Sequence, residues 1–202
     1  YRNAFIDILY KIANEDKIVD ILWNFFNDFN KISSTYYTNN ELKRYMYDNM
    51  MHELIIYTVA IFIRKNNYTA IGKLIRIMWI NHGYGNIEES NFNEFFYTAK
   101  FEDNFKLAYR NRDGKNYFTG TAMFWNENVY EPFITSIDLA NADVLITNIC
   151  IINKTDGGYT WFAKMYIYSG YHGRNDFIQE IAISLKSKHH AMRYFGLFGV
   201  ES

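Results

Sequence analysis

The feature that most constrains the fold is an unbroken apolar run in the first third of the chain. It covers residues 54–63, reads LIIYTVAIFI, and lies between Glu53 and Arg64. The run is about half of the roughly 20 residues that a helix needs to cross a bilayer, so we expect no membrane association and a cytoplasmic protein. A helix that is apolar on all sides is typical of a core position. The run therefore predicts a central helix that other elements bury.

Apolar residues on both sides of this run recur with helical spacing. The first series covers residues 5–12, and the second extends from Ile18 to Phe29 before the turn-rich residues 33–35. The third begins near residue 40, contains the central run and ends at Asn66-Asn67, and the fourth continues to His82. We expect four helices here. We also divide the chain into helical arm or linker helices over residues 1–33 and a single helical, α+β module over residues 34–202.

The last third of the chain changes character. Residues 133–152 keep the helical pattern, and a turn signal follows at residues 156–158. Residues 159–168 are rich in aromatic and β-branched side chains, and residues 177–185 alternate between apolar and polar, as strands do. The predicted fold class is α+β and predominantly helical, a helical bundle with a small antiparallel β-sheet near the C-terminus.

Charge and cysteine content exclude several classes of function. The chain has 21 Lys and Arg against 22 Asp and Glu, and therefore no basic excess with which to displace counterions from DNA or RNA. We expect no general nucleic-acid binding. A net charge of −1 also does little to oppose self-association, so we expect a homo-oligomer. Cys150 is the one cysteine, which excludes an internal disulfide framework and a thiolate zinc site, and we expect neither a metal nor another cofactor.

Three polar residues stand in otherwise apolar helical segments, His52, Glu53 and Asp143. A buried carboxylate is costly unless a cation or hydrogen-bond donors surround it. We therefore expect the three to lie together as one cluster completed by Arg64 or another arginine. Such a cluster has two interpretations, a structural ion pair or a site that binds a ligand or partner. It is not a zinc-binding HExxH motif, because the residue four positions after His52 is Ile56.

Two aromatic residues of the first predicted C-terminal strand, Trp161 and Tyr168, complete the candidate binding set. Aromatic side chains on strands are normally part of the core, and the alternative is a wall on which a nucleotide stacks. No complete catalytic motif is present. A nuclease pattern of the E-x-K type fails at Glu180, because the residue two positions later is Ala182.

Five short motifs of the chain occur in the same order as similar motifs in a known protein family. They are MHELIIYTVAIFI at residues 51–63, ADVLI at 142–146, WFAKMYIY at 161–168, EIAISLKS at 180–187 and YFGLFGV at 194–200. This order resembles a C-terminal module of bacterial antiphage defence proteins that carry an N-terminal TIR or SEFIR domain. The chain departs from that module at Ala163, where the module has proline. Because the chain begins with Tyr1 rather than Met, we expect it to be part of a longer protein.

None of the motifs that carry the resemblance is catalytic, so the resemblance implies a regulatory or sensing part rather than an enzyme. It implies a non-catalytic sensing and oligomerisation module that recognises a phage protein or a small nucleotide-like signal and gates an attached effector domain. One alternative is a metal-dependent nuclease or nucleotide hydrolase that uses His52, Asp143 and Glu180. Another is a plain structural protein-interaction domain.

Overall fold

The computed structural model describes residues 1–35, 41–82, 87–92, 124–125, 127–131 and 133–152. Over these ranges it contains five helices and two strands. In chain order they are α1 (Arg2–Ile12), α2 (Ile18–Ser34), α3 (Glu41–Arg64), α4 (Tyr68–Arg76), β1 (Trp79–His82), β2 (Ile87–Ser90) and α5 (Ser136–Ile152). The described part is mostly helical with a small two-stranded antiparallel sheet, which confirms the coarse fold class.

Helix α3 lies at the centre and packs against each of the other four helices. Every residue from Met51 to Ile63 is buried, as the apolar run predicts. The helix ends where the sequence has Asn66-Asn67. Asn66 adopts a left-handed conformation with φ of 56°, and the Asn67 amide donates to the Phe62 carbonyl at 2.8 Å. This is the geometry of a Schellman-type helix end, and it allows α4 to start in a new direction.

Helices α1 and α2 contribute to the same hydrophobic core as α3. Ile6 and Leu9 of α1 and Leu22 and Phe26 of α2 are buried in it. The side chain of Asn67 links the first interhelical turn to α4, because it donates to the Ala13 carbonyl and accepts from the Ala70 amide. The division at residue 33 into an arm and a module stays a prediction.

The fourth helix is shorter than the sequence predicts. It ends at Arg76, and β1 then pairs with β2 in an antiparallel register that places Trp79 opposite Ser90. Tertiary contacts explain the change. Trp79 is fully buried at a ring-centroid distance of 6.2 Å from Phe26, and the Ile80 amide donates to the Asn27 side chain of α2 at 2.9 Å.

The small sheet therefore lies in the middle of the sequence. The sheet predicted near the C-terminus, over residues 159–185, lies outside the described residues. Helix α5 begins close to its predicted start, because Thr135 and Asp138 form reciprocal capping hydrogen bonds at its first turn. Over the ranges that the structure describes, no helix combines the length and apolar character required to cross a membrane.

Candidate functional site

Glu53 enters the core on α3 and is 3% exposed. Its Oε1 accepts from Nη1 of Arg2 at 3.1 Å, and its Oε2 accepts from the hydroxyl of Tyr1. The arginine that neutralises Glu53 is thus Arg2, at the start of α1. Arg2 lies 51 positions away in the sequence, where no periodic pattern connects it to α3.

Two phenols surround this carboxylate. Tyr57 lies one helical turn after Glu53 and is fully buried. Burial, and secondarily the charge of Glu53, raises the pKa of Tyr57 above its ordinary value. Burial and the hydrogen bond to Glu53 raise the pKa of Tyr1 in the same direction. Both phenols are therefore neutral at physiological pH, and they add no second negative charge beside Glu53.

His52 is also buried, and its ring stacks on the indole of Trp125. The ring centroids are 5.8 Å apart and the planes differ by 11°. The neighbouring Phe124 ring lies under the Arg2 guanidinium, whose carbon is 5.3 Å from the ring centroid. Residues 124–125 therefore lie against both His52 and the cation that neutralises Glu53.

These contacts define a single group that we call the Glu53 cluster. It joins α1, α3 and the 124–125 segment, and its members are Tyr1, Arg2, His52, Glu53, Tyr57, Phe124 and Trp125. Sequence reasoning identified His52 and Glu53 and missed the rest. The sequence shows that His52 and Glu53 are polar residues in an apolar helix and therefore require partners. It does not show where in the chain those partners are.

Arg64 lies at the opposite end of the buried run, eleven positions or about 16 Å along the helix from Glu53. Its Nη1 donates to Oδ2 of Asp138 at 2.7 Å, and this hydrogen bond raises the pKa of Arg64. Asp138 also accepts from the amide and hydroxyl of Thr135. Arg64 thus fastens the end of α3 to the start of α5 rather than neutralising Glu53.

Asp143 is 2% exposed on α5, the helix that packs along α3. Its union with His52 and Glu53 in one cluster stays a prediction. Trp161, Tyr168 and Glu180 lie outside the described residues, as do the strands predicted to carry them.

The chemistry open to the Glu53 cluster follows from its hydrogen bonds. Both oxygens of the Glu53 carboxylate accept hydrogen bonds within the chain, one from a guanidinium and the other from a phenol. Within the described ranges, no three His, Cys, Asp or Glu side chains are arranged to hold a metal ion. The contacts of the Glu53 cluster link α1, α3 and the 124–125 segment of the chain.

Comparisons of the chain with protein-family models, with curated proteins and with solved structures give no match. The contacts of the described residues are therefore what supports a function.

Proposed function

We propose that this chain is a non-catalytic sensing and oligomerisation module of a bacterial antiphage defence effector. It recognises a phage protein or a small nucleotide-like signal and gates an effector domain attached on its N-terminal side. The observation that carries the proposal is the partly buried contact between Arg2, at the start of α1, and Glu53 of the central helix α3. It connects the part of the chain nearest that attached domain to the helix on which the bundle is built.

The contact is suited to transmitting a signal because it is costly to break. Removing one partner of a fully buried ion pair costs about 3–5 kcal/mol, and breaking this pair costs less than that because the Arg2 side chain is 17% exposed. A displacement of α3 therefore moves the start of α1 with it. Residues 124–125 contact both His52 and Arg2, so a ligand that displaces this segment removes the stack on His52 and the ring contact of Arg2 together.

The decisive experiment is Glu53→Gln in the full-length effector. Glutamine keeps the shape of the side chain and removes the charge that holds Arg2. We expect the activity of the effector to be uncoupled from infection, seen either as growth arrest without phage or as loss of phage resistance in plaque assays. Circular dichroism of the purified variant establishes that it is folded.

Lys11→Gln is the matched control. Lys11 also forms an ion pair on α1, with Asp7 at 2.9 Å, but this pair is exposed and does not reach α3. We expect Lys11→Gln to behave like the wild type. A folded Glu53→Gln effector that is indistinguishable from the wild type in both assays would refute the gating role.

A further inference from the structure

Side chains of α2 hold the backbone of β1 along one edge. Nε1 of Trp23 donates to the Met78 carbonyl at 2.8 Å, and the Ile80 amide donates to Oδ1 of Asn27 at 2.9 Å. Four residues advance a helix by about 6 Å, and two residues advance a strand by about 6.7 Å. Helix α2 and strand β1 therefore run alongside each other nearly in step.

The same register extends one step further, to Lys31 and His82. Lys31 lies four positions after Asn27, and His82 lies two positions after Ile80. Burial lowers the pKa of His82, and the nearby charge of Lys31 lowers it further. One side of α2 thus follows the strand at intervals of four residues, through Trp23, Asn27 and Lys31, and we call these three residues the α2 cap.

The hydrogen bonds show which edge of β1 the cap covers. Because the Ile80 amide donates to α2, Ile80 and Glu89 form a non-hydrogen-bonded pair of the antiparallel ladder. Such pairs alternate with hydrogen-bonded ones. The amides of Ile80 and His82 therefore point away from β2, towards the cap, and those of Trp79 and Asn81 point towards β2.

The two strands of the sheet are protected at their outer edges in different ways. An uncovered edge is a template on which another chain can pair, and proteins prevent this with charged side chains or with a covering helix. Strand β2 carries two exposed acids, Glu88 and Glu89. Strand β1 reads WINH and contains neither an acidic residue nor lysine, arginine or proline. The protection of β1 comes from α2.

We propose that the α2 cap is an autoinhibitory contact, which occupies the backbone groups through which β1 would otherwise pair with β1 of a second copy of this chain. The edge is complementary to itself in an antiparallel arrangement. A two-fold axis at Ile80 places residue 78 of each copy opposite residue 82 of the other, so donors meet acceptors on both sides. No charge on β1 opposes this approach at neutral pH, since the lowered pKa of His82 keeps its ring neutral.

Two substitutions open the cap with little change in side-chain size. Trp23→Phe keeps a ring and removes the donor to Met78. Asn27→Leu removes the acceptor for Ile80 and no other hydrogen bond among the described residues, because Nδ2 of Asn27 has no partner there. Losing both bonds raises the uncapped fraction about thirtyfold, and because both copies must be uncapped, the dissociation constant of the dimer falls by about a thousandfold.

Sedimentation velocity over a wide range of concentrations compares this double variant with the wild-type 202-residue chain. Asn24→Leu is the matched control. Asn24 is exposed on the same helix, and its side chain donates to the Asp20 carbonyl of α2 itself at 3.0 Å. We expect Asn24→Leu to behave like the wild type, although it adds the same apolar side chain. Each single cap variant should lie between the wild type and the double variant, and these carry the comparison if the double variant does not fold.

Ile80→Pro identifies the edge that is responsible. Proline is tolerated on a strand where the amide does not face the neighbouring strand, and here it removes the donor that a second copy would use. Added to the double variant, it should return association to the wild-type level. Amide hydrogen exchange of the double variant gives a second readout, because the Ile80 amide should exchange rapidly on dilution and slowly at high concentration. The Asn81 amide should stay protected throughout.

Three results would overturn the proposal. They are a folded double variant that associates no more strongly than the wild type, association that survives Ile80→Pro, and association that leaves the Ile80 amide in rapid exchange. Equal association of Asn24→Leu and Asn27→Leu would overturn it as well, because an added leucine would then be the cause.

The cap goes beyond the proposed function and shares no residue with the Glu53 cluster, so the two proposals can fail separately. Association of the uncapped chain without any effect of Glu53→Gln on the full-length effector retains the cap and overturns the gating function. An effector that responds to Glu53→Gln, together with an uncapped chain that behaves like the wild type, retains the gating function and overturns the cap.

Discussion

At the scale of single residues, the Glu53 cluster shows how a charge is accommodated in an apolar core. Removing a carboxylate from water costs several kcal/mol, and the cost is recovered only when donors with good geometry surround it. Arg2 and the Tyr1 hydroxyl supply those donors, one to each oxygen of Glu53. The fully buried hydroxyl of Tyr57 is different, because no other group among the described residues forms a hydrogen bond with it.

We therefore expect Tyr57→Phe to raise the free energy of unfolding by about 1 kcal/mol, since it removes a buried polar group that lacks a partner. Urea denaturation at neutral pH measures the change. Tyr68→Phe is the matched control, because the Tyr68 hydroxyl donates to the Asn66 side chain at 3.2 Å and its removal should lower stability instead. A loss of stability in Tyr57→Phe would show that its hydroxyl is bound by a group outside the described residues.

Tyr57 should also make the free energy of unfolding depend on pH in the alkaline range. A tyrosine is neutral while protonated, and the folded-state pKa of Tyr57 lies above its unfolded value of 10.0. Folding therefore carries no added cost from this phenol below pH 10, and the free energy of unfolding falls as the pH rises from 10 towards the folded-state value, because the folded protein keeps Tyr57 protonated. We expect the wild type to lose more stability than Tyr57→Phe between pH 9 and pH 11. Equal losses in the two proteins would contradict this assignment.

At the scale of elements, apolar residues with helical spacing predict both α3 and α4. The prediction holds along the whole of α3 but only over the first part of the fourth series. The apolar run of α3 is long enough that helices pack on several of its sides, and its burial follows from its composition. The shorter fourth series has the same periodicity up to Arg76. There the chain becomes extended, because Trp79 is buried against Phe26 and β1 pairs with β2.

The position of α3 predicts the effect of placing a charge in it. Val59 is 3% exposed, so Val59→Asp buries a carboxylate with no partner, and we expect a loss of more than about 4 kcal/mol in the free energy of unfolding. Met46→Asp is the control on the same helix, because Met46 is 51% exposed and should tolerate the change within about 0.5 kcal/mol. Thermal denaturation compares the two variants. An unchanged melting temperature for Val59→Asp would show that the helix is not buried there.

At the scale of the whole molecule, the bundle is held together at both ends of the buried run of α3. Arg2 and Glu53 fasten α1 to one end, and Arg64 and Asp138 fasten α5 to the other. Both contacts use carboxylates to join elements that are distant in the sequence. The proposed function assigns this framework to signal transmission.

The proposal that the module is non-catalytic can be tested on the purified chain. The purified chain should show no turnover of DNA, RNA, NAD or ATP when Mg²⁺ or Mn²⁺ is added. Chromatographic analysis of products at high protein concentration measures this directly. Metal-dependent turnover that Asp143→Ala abolishes would refute the prediction and favour the nuclease or hydrolase alternative.

What the sequence determined by itself was local. The periodicity of apolar residues predicted α1, α2, α3 and α5, and Asn66-Asn67 marked the end of α3, because helix formation and helix ends depend on residues within a few positions of one another. The sequence also predicted that His52 and Glu53 need partners. Tertiary structure alone decided that those partners are Trp125 and Arg2, and that residues 79–82 form a strand. Such contacts join residues tens of positions apart, and only the packed arrangement of the helices brings them within hydrogen-bonding or stacking distance.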